Sequence, residues 1–235
     1  MKKEKRKILY IHGYGGSGNS RTAQALRDYL PLNYDVIEPC FPLEPAEAID
    51  LANETILMEE IDIVVASSLG AFTALQLGFI TKIVINPCLY PSKELSKRTN
   101  ISDNILRKFI EIEGQRDMDQ ELVDIGDLET LSRRMYERQF ETEKEKKEFE
   151  ETFKHFEYYT DEDWDKIFGD DIDWDFGLPE SAITFGVFST NDELFSYKDV
   201  FLKYYSYNVQ MIEDTHRISV ENVKNVIVPI IMRIK

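Results

Sequence analysis

The chain has 235 residues, of which 43% are hydrophobic and 31% charged, with a formal net charge of −16. This is enough apolar material for a substantial core and excludes a disordered chain. So acidic a balance also argues against nucleic acid and anionic membrane surfaces as partners, since both call for basic patches.

In chain order, a basic start (Met1 to Lys7) leads into the apolar run Ile8–Ile11. That run is too short for a signal-peptide core, and no small-residue cleavage site follows it. No stretch approaches the roughly 18 apolar residues of a membrane-spanning helix. The two cysteines, Cys40 and Cys88, are too few for a disulfide scaffold and lack zinc-ligand spacing. A cytoplasmic protein with free thiols and no metal is expected.

Further β-branched or apolar runs follow at Asp35–Glu38, Ile61–Val65, Lys82–Ile85, Ile183–Phe188 and Val209–Ile212. Several are apolar throughout, as parallel strands covered on both faces are. Helical stretches separate them at Arg21–Tyr29, Ala46–Met58, Leu69–Leu77, Lys198–Tyr204 and Val220–Met232, and Pro229 is expected to kink or shorten the last. Strands alternating with helices predict an α/β fold with a mostly parallel sheet of about six strands and right-handed crossovers.

Residues 93–180 break that alternation. They hold 14 Lys/Arg and 27 Asp/Glu, a net of −13 against −3 for the rest. Ile101–Ile112 has apolar residues at helical spacing, Leu128–Tyr159 is rich in Glu, Lys and Arg, and Asp170, Asp171, Asp173 and Asp175 surround Trp174. The division expected is a core of residues 1–92 and 181–235 with an acidic, mainly helical cap at 93–180. Most of its charges are expected simply to form a solvated surface.

The segment His12-Gly13-Tyr14-Gly15-Gly16-Ser17-Gly18 after the first strand fits three motifs. Gly13, Gly15 and Gly18 spell a dinucleotide fingerprint, with Glu38 about 20 residues on. Gly13 and Gly18 have Walker A spacing, but Asn19 stands where the phosphate-binding lysine belongs. The third reading is a loop that lends one backbone N–H to an oxyanion hole. The glycines alone, which would equally serve a tight turn, do not decide.

Ile63 to Ala71 (IVVASSLGA) decides more. A nucleophile on a sharp strand-to-helix turn needs small residues two before and two after it. Ala66 and Gly70 satisfy that for Ser68, whereas Val65 and Leu69 do not for Ser67; a helix-capping serine is the plainer alternative. Of the three histidines, His12 sits in the glycine-rich turn and His155 in the polar insertion. His216 follows the last strand, at the sheet end where α/β proteins place functional groups. Asp192 follows the strand before it and is the leading acid, with Glu193 as fallback. The order Ser68, Asp192, His216 is that of an acyl-transfer triad on this kind of sheet. The backbone N–H groups of Tyr14 and Leu69 are the candidate oxyanion donors.

Five stretches carry a family resemblance: Leu9–Gly13, Ser67–Gly70, Val84–Pro87, Asn191–Tyr197 and Asp214–His216. In these the chain resembles the small bacterial YqiA-type esterases of the UPF0227 group, within the α/β-hydrolase superfamily. The resemblance leaves 93–180 largely uncovered. It implies a sheet lacking the two usual N-terminal strands, esterase activity on short acyl chains, no cofactor, and a triad on Ser68, Asp192 and His216. Thioester or amide cleavage would use the same machinery. The acidic insertion suggests a neutral small-molecule ester as substrate. The rival readings are a binding protein that keeps the scaffold without turnover, and a dinucleotide-dependent oxidoreductase on Gly13, Gly15, Gly18 and Glu38.

Overall fold

A computed structural model describes residues 5–78, 80–98, 100–125, 184–205 and 208–234, together with 142, 144 and 147. Six strands, β1 (Arg6–Ile11), β2 (Tyr34–Ile37), β3 (Ile63–Ser67), β4 (Thr81–Ile85), β5 (Thr184–Asn191) and β6 (Val209–Thr215), form one sheet in the order β2-β1-β3-β4-β5-β6. Every neighbouring pair is parallel. The chain leaves β1 for β2 on one side, then crosses to β3 on the other. Strand order therefore reverses between β1 and β3, where open α/β sheets form a crevice at the strands' carboxyl ends.

Alternation along the strands feeds two apolar layers. Ile8, Tyr10, Ile63, Val65, Ile83 and Ile85 face a cluster holding Ala23 and Leu26 of α1 (Arg21–Tyr29) and Val223, Ile227 and Ile231 of the C-terminal helix. Leu9, Ile11, Val64, Ala66 and Val84 face the other side. There they meet Ala48 and Ala52 of α2 (Pro45–Glu59), Ala71 and Ala74 of α3 (Leu69–Leu75), and Phe201. Phe201 belongs to α6 (Lys198–Tyr204). Central strands covered on both faces explain the uninterrupted apolar runs.

The strands run further than their apolar stretches. β3 continues to Ser67, β5 to Asn191 and β6 to Thr215. The hydrogen-bond ladder ignores side-chain polarity, so the polar tails stay paired, Asn191 opposite Thr215 beyond a bulge. Ser68, Asp192 and His216 are thus each the first residue past a strand, as are His12 after β1 and Asn86 after β4.

Pro229 does not end the last helix, α7 (residues 220–233). The helix widens over Val223–Ile227 into a π turn, with Val228 N–H bonded to Val223 O, and continues through Val228–Arg233. A ring without an N–H is accommodated by this local shift in hydrogen bonding.

The contacts divide the chain into two units, residues 1–113 with 178–235, and residues 114–177. In the first, α4 (Pro91–Leu95) and the start of α5 (Asp103–Ile125) supply Leu95 and Phe109 to a third cluster around Phe72. Residues 93–113, with five Lys/Arg against four Asp/Glu, therefore fall with the sheet. Of the second unit the structure describes the end of α5, where Arg116 pairs with Asp117 at 3.0 Å, and three single residues. The helices expected in Leu128–Tyr159, His155 and the acidic run around Trp174 lie outside the described residues. Among the described residues no helix is long and apolar enough to cross a membrane.

Candidate active site

Ser68 occupies the turn from β3 into α3 with φ 54° and ψ −120°. This left-handed φ is costly for a residue with a Cβ, of the order of 1–3 kcal/mol, and persists only where the surroundings impose it. Here β4 and the loop after it do so: Ser68 N–H donates to Ile85 O, and Cys88 N–H donates to Ser68 O, both at 3.0 Å. The adjacent strand ends must also approach closely. A Cβ on Gly70 would lie 2.3 Å from Ile11 O and 2.4 Å from His12 O, and one on Gly13 would lie 2.9 Å from Ser68 Cβ. The small residues around Ser68 are there because backbone from β1 fills the space a side chain would need.

The Ser68 hydroxyl makes no helix-capping bond. It meets His216 instead, with Oγ 2.9 Å from Nε2. The other ring nitrogen, Nδ1, lies 2.9 Å from Asp192 Oδ2 and 3.1 Å from Oδ1. A carboxylate can only accept, so Nδ1 carries the proton and Nε2 is left as an acceptor for the serine hydroxyl. Ser67, the neighbouring candidate, ends β3 with its hydroxyl 2.8 Å from that of Tyr10.

Asp192 also accepts the backbone N–H groups of Leu194 (2.8 Å) and Phe195 (3.0 Å). Burial raises its pKa. The bonds from His216, Phe195 and Leu194, with the charge of His216, outweigh burial and hold the carboxyl below its ordinary range. Glu193, the other candidate acid, accepts the backbone N–H of His216 at 3.0 Å rather than the ring, a bond that lowers its pKa. The two carboxylates therefore have different jobs, one at the imidazole and one at its backbone.

His12 shows what a saturated imidazole looks like in the same protein. Its Nε2 accepts Phe41 N–H at 3.1 Å, so Nδ1 is the protonated nitrogen facing Gly13 O at 3.0 Å. The ring is buried and tethers the loop after β1 to the loop after β2.

Sequence reasoning missed two neighbours of this group. Phe195 lies edge-on to His216, ring centroids 4.7 Å apart. Asn86, 2% exposed and at φ 44°, brackets three segments. Its Oδ1 accepts Ser189 N–H at 2.7 Å, while Nδ2 donates to Ser189 Oγ (2.8 Å), His216 O (2.9 Å) and Thr215 O (3.3 Å). Both residues sit in the stretches that carry the family resemblance, but neither has reacting chemistry to draw attention to it.

Around Ser68 and His216 opens a pocket of about 830 Å³. The loops after β1 and β3 line it, with Leu95 and Arg98 on one side and Leu194, Phe195 and Arg217 on another. Among the described residues, the backbone N–H groups of Tyr14 and Leu69, both in the lining, are given to no acceptor. The dinucleotide reading fares differently. The Glu38 carboxylate accepts the Ser20 N–H at 3.1 Å and sits 3.7 Å from Arg27, occupying the helix start where a pyrophosphate would lie. No group of three or more His, Cys, Asp or Glu among the described residues could hold a metal ion. Cys40 and Cys88 are free thiols.

The parallel order, the strained serine turn and the loops gathered past the strand ends define an α/β-hydrolase fold. The chain belongs to UPF0227, an uncharacterised protein family whose model matches residues 7–177. That match stops short of β5, so the positions of Asp192 and His216 rest on the structure itself. Among solved structures, the chain is similar to YbtT, the type II thioesterase of the yersiniabactin pathway, at 14% identity and a TM-score of 0.50, covering 100% of this chain and 94% of that one. It is also similar to an alpha/beta hydrolase fold protein from Burkholderia ambifaria, at 12% identity and a TM-score of 0.46, covering 96% and 91%.

Proposed function

We propose that this protein is a serine hydrolase that cleaves small carboxylic esters through an acyl-enzyme. The observation that carries this is the unbroken chain from Asp192 through His216 to Ser68, with 2.9 Å at each link, opening on a pocket. The Ser68 hydroxyl attacks the substrate carbonyl as His216 Nε2 takes its proton. Asp192 fixes the imidazole tautomer and stabilises the imidazolium. The N–H groups of Tyr14 and Leu69 receive the oxyanion, each worth about 2.7–4 kcal/mol where such donors have been removed. The imidazolium then protonates the leaving group. Water, activated by the same nitrogen, releases the acid and restores Ser68. No step calls on a cofactor.

Thioesters are the second reading. The same steps serve them, and the likeness to YbtT, a thioesterase, favours including them among the substrates tested. As to place, the absence of a spanning helix among the described residues and two free thiols accord with a cytoplasmic setting.

The test is a fluorophosphonate probe followed by mass mapping. Modification of Ser68 alone, abolished by Ser68→Ala in a variant that stays folded, is expected. Labelling of Ser67, or ester turnover retained in Ser68→Ala, overturns the assignment.

A further inference from the structure

Cations outnumber carboxylates among the described residues that line the pocket. Among the described residues, Lys5, Lys7, Arg27, Lys108 and Arg116 each pair with a carboxylate, those of Asp35, Glu59, Glu38, Glu44 and Asp117. Among the described residues, the pocket is lined by Arg21, Lys97, Arg98 and Arg217 and by two carboxylates, Glu94 and Glu193. Lys97 is paired with Glu94, and Glu193 accepts the His216 N–H. The three arginines have no carboxylate partner among the described residues. Arg21 donates to the neutral carbonyl of Ile218 at 3.3 Å, and Arg98 lies over the Tyr14 ring, 4.6 Å from its centroid.

We propose that these arginines select substrates carrying an anionic group, a carboxylate or a phosphate, on the acyl or the leaving half. The proposal rests on the hydrolase reading above and adds its substrate class. A guanidinium offers a planar fork of donors that matches either oxyanion in two bonds, and it is weakly hydrated, so little is lost when an anion displaces water. Arg98 packs on Tyr14, whose N–H is a proposed oxyanion donor, and Arg217 follows His216 directly. Both belong to the lining of the pocket that holds Ser68 and His216.

This reverses the neutral substrate expected from the net charge of residues 93–180. Among the described residues of that segment, those in the lining are Glu94, Leu95, Lys97 and Arg98, one carboxylate against two cations. Charges beyond about 10 Å are largely screened at 0.1 M salt, so the groups that touch the substrate outweigh the sum over the chain.

Two matched pairs test it. Para-nitrophenyl hexanoate and the mono-para-nitrophenyl ester of adipic acid share a leaving group and an acyl length and differ by a terminal carboxylate. The butyryl thioesters of pantetheine and phosphopantetheine differ by a phosphate on the leaving half. In at least one pair the anionic member is expected to have kcat/KM about tenfold higher at low ionic strength, mainly through KM. Moderate salt should narrow the gap, Arg98→Gln and Arg21→Gln should each lower the anionic-to-neutral ratio, and the pair that responds tells carboxylate from phosphate. If the neutral members are turned over through Ser68 with no anionic preference, or the ratio ignores both salt and the arginines, the substrate inference alone falls. If no member is turned over, the hydrolase reading falls and this inference with it.

Discussion

The two sides of the candidate site are held by different means. On the β1 and β3 side, Ser68 is placed by backbone: strand ends so close that Gly70 has no room for a Cβ, and Ser68 peptide groups tied to Ile85 and Cys88. On the β5 and β6 side, His216 is placed by side chains. Asp192 holds its ring, Glu193 its N–H, and Asn86 its carbonyl. Asp214 accepts from Thr215, Ser219 and Asn222 around it. A nucleophile held by sterics should fail by added volume and be indifferent to pH. A base held by carboxylates should fail by lost hydrogen bonds and be sensitive to acid.

The largest effect expected falls on the side-chain half. Asp192→Asn keeps the shape but presents an N–H or a weaker acceptor to Nδ1, so the favoured tautomer is lost. A fall of about 10⁴-fold in kcat is expected, as for the equivalent change in a serine protease, with the fold intact by circular dichroism. The companion Glu193→Gln, which keeps an acceptor for the His216 N–H, should cost far less. Equal losses would dissolve the distinction between ring and backbone partners.

On the backbone half, Gly70→Ala should break the site by sterics. The added methyl meets carbonyl oxygens of β1 and its loop, which cannot rotate away as a side-chain end can. Overpacking of this kind costs about 1–3 kcal/mol, and activity should fall with it across the whole pH range. A variant as stable and active as the parent would mean the turn is looser than its distances imply.

Asn86 joins the two halves and should give a smaller, cleaner signal. Asn86→Gly keeps the left-handed backbone available but strips three segments of their bracket. Kcat is expected to fall about tenfold with KM little changed, since unsatisfied buried groups cost about 1–3 kcal/mol each. Asn86→Asp retains the acceptor for Ser189 N–H and should recover part of the loss. A drop in stability with kcat untouched would make Asn86 structural only.

The same contrast separates what the sequence made legible from what it did not. The half proposed to hold the nucleophile could be read because steric demand leaves a mark on residue type: Ala66 and Gly70 are small two residues to either side of Ser68, and a Cβ on Gly70 would meet backbone of Ile11 and His12. The proposed acid and base could be placed by chain order and strand ends, yet which of Asp192 and Glu193 meets the His216 ring depends on the direction of two adjacent carboxylates, which no residue pattern encodes. Asn86 and Phe195 stayed hidden because their partners lie far off in sequence; Asn86 and Ser189 are 103 residues apart. The carboxyl ends of β3, β5 and β6 were placed too early because hydrophobicity marks burial, and the polar ends emerge from between the layers. The charge among the described residues of the pocket does not follow from totals, since it depends on which few of many ionic side chains line it.

The last and smallest effect concerns acid. Burial raises the pKa of Asp214, but the bonds from Asn222, Ser219 and Thr215 outweigh it and hold the carboxyl below its ordinary range. A group whose pKa is lower folded than unfolded contributes stability that is full above its unfolded value, about 3.9 for aspartate, and is lost as pH falls through the folded value. Asp214 brackets the loop that presents His216, so the loss should be local first. In Asp214→Asn, the Tm deficit against the parent should be present at neutral pH and shrink as both proteins are taken below about pH 4, where the parent carboxyl is protonating too. Gly70→Ala carries no titrating group, so its deficit should stay nearly constant over the same range. A deficit for Asp214→Asn that does not change with pH would show that the loop is held by its packing, and the contrast between the two halves of the site would lose its electrostatic basis.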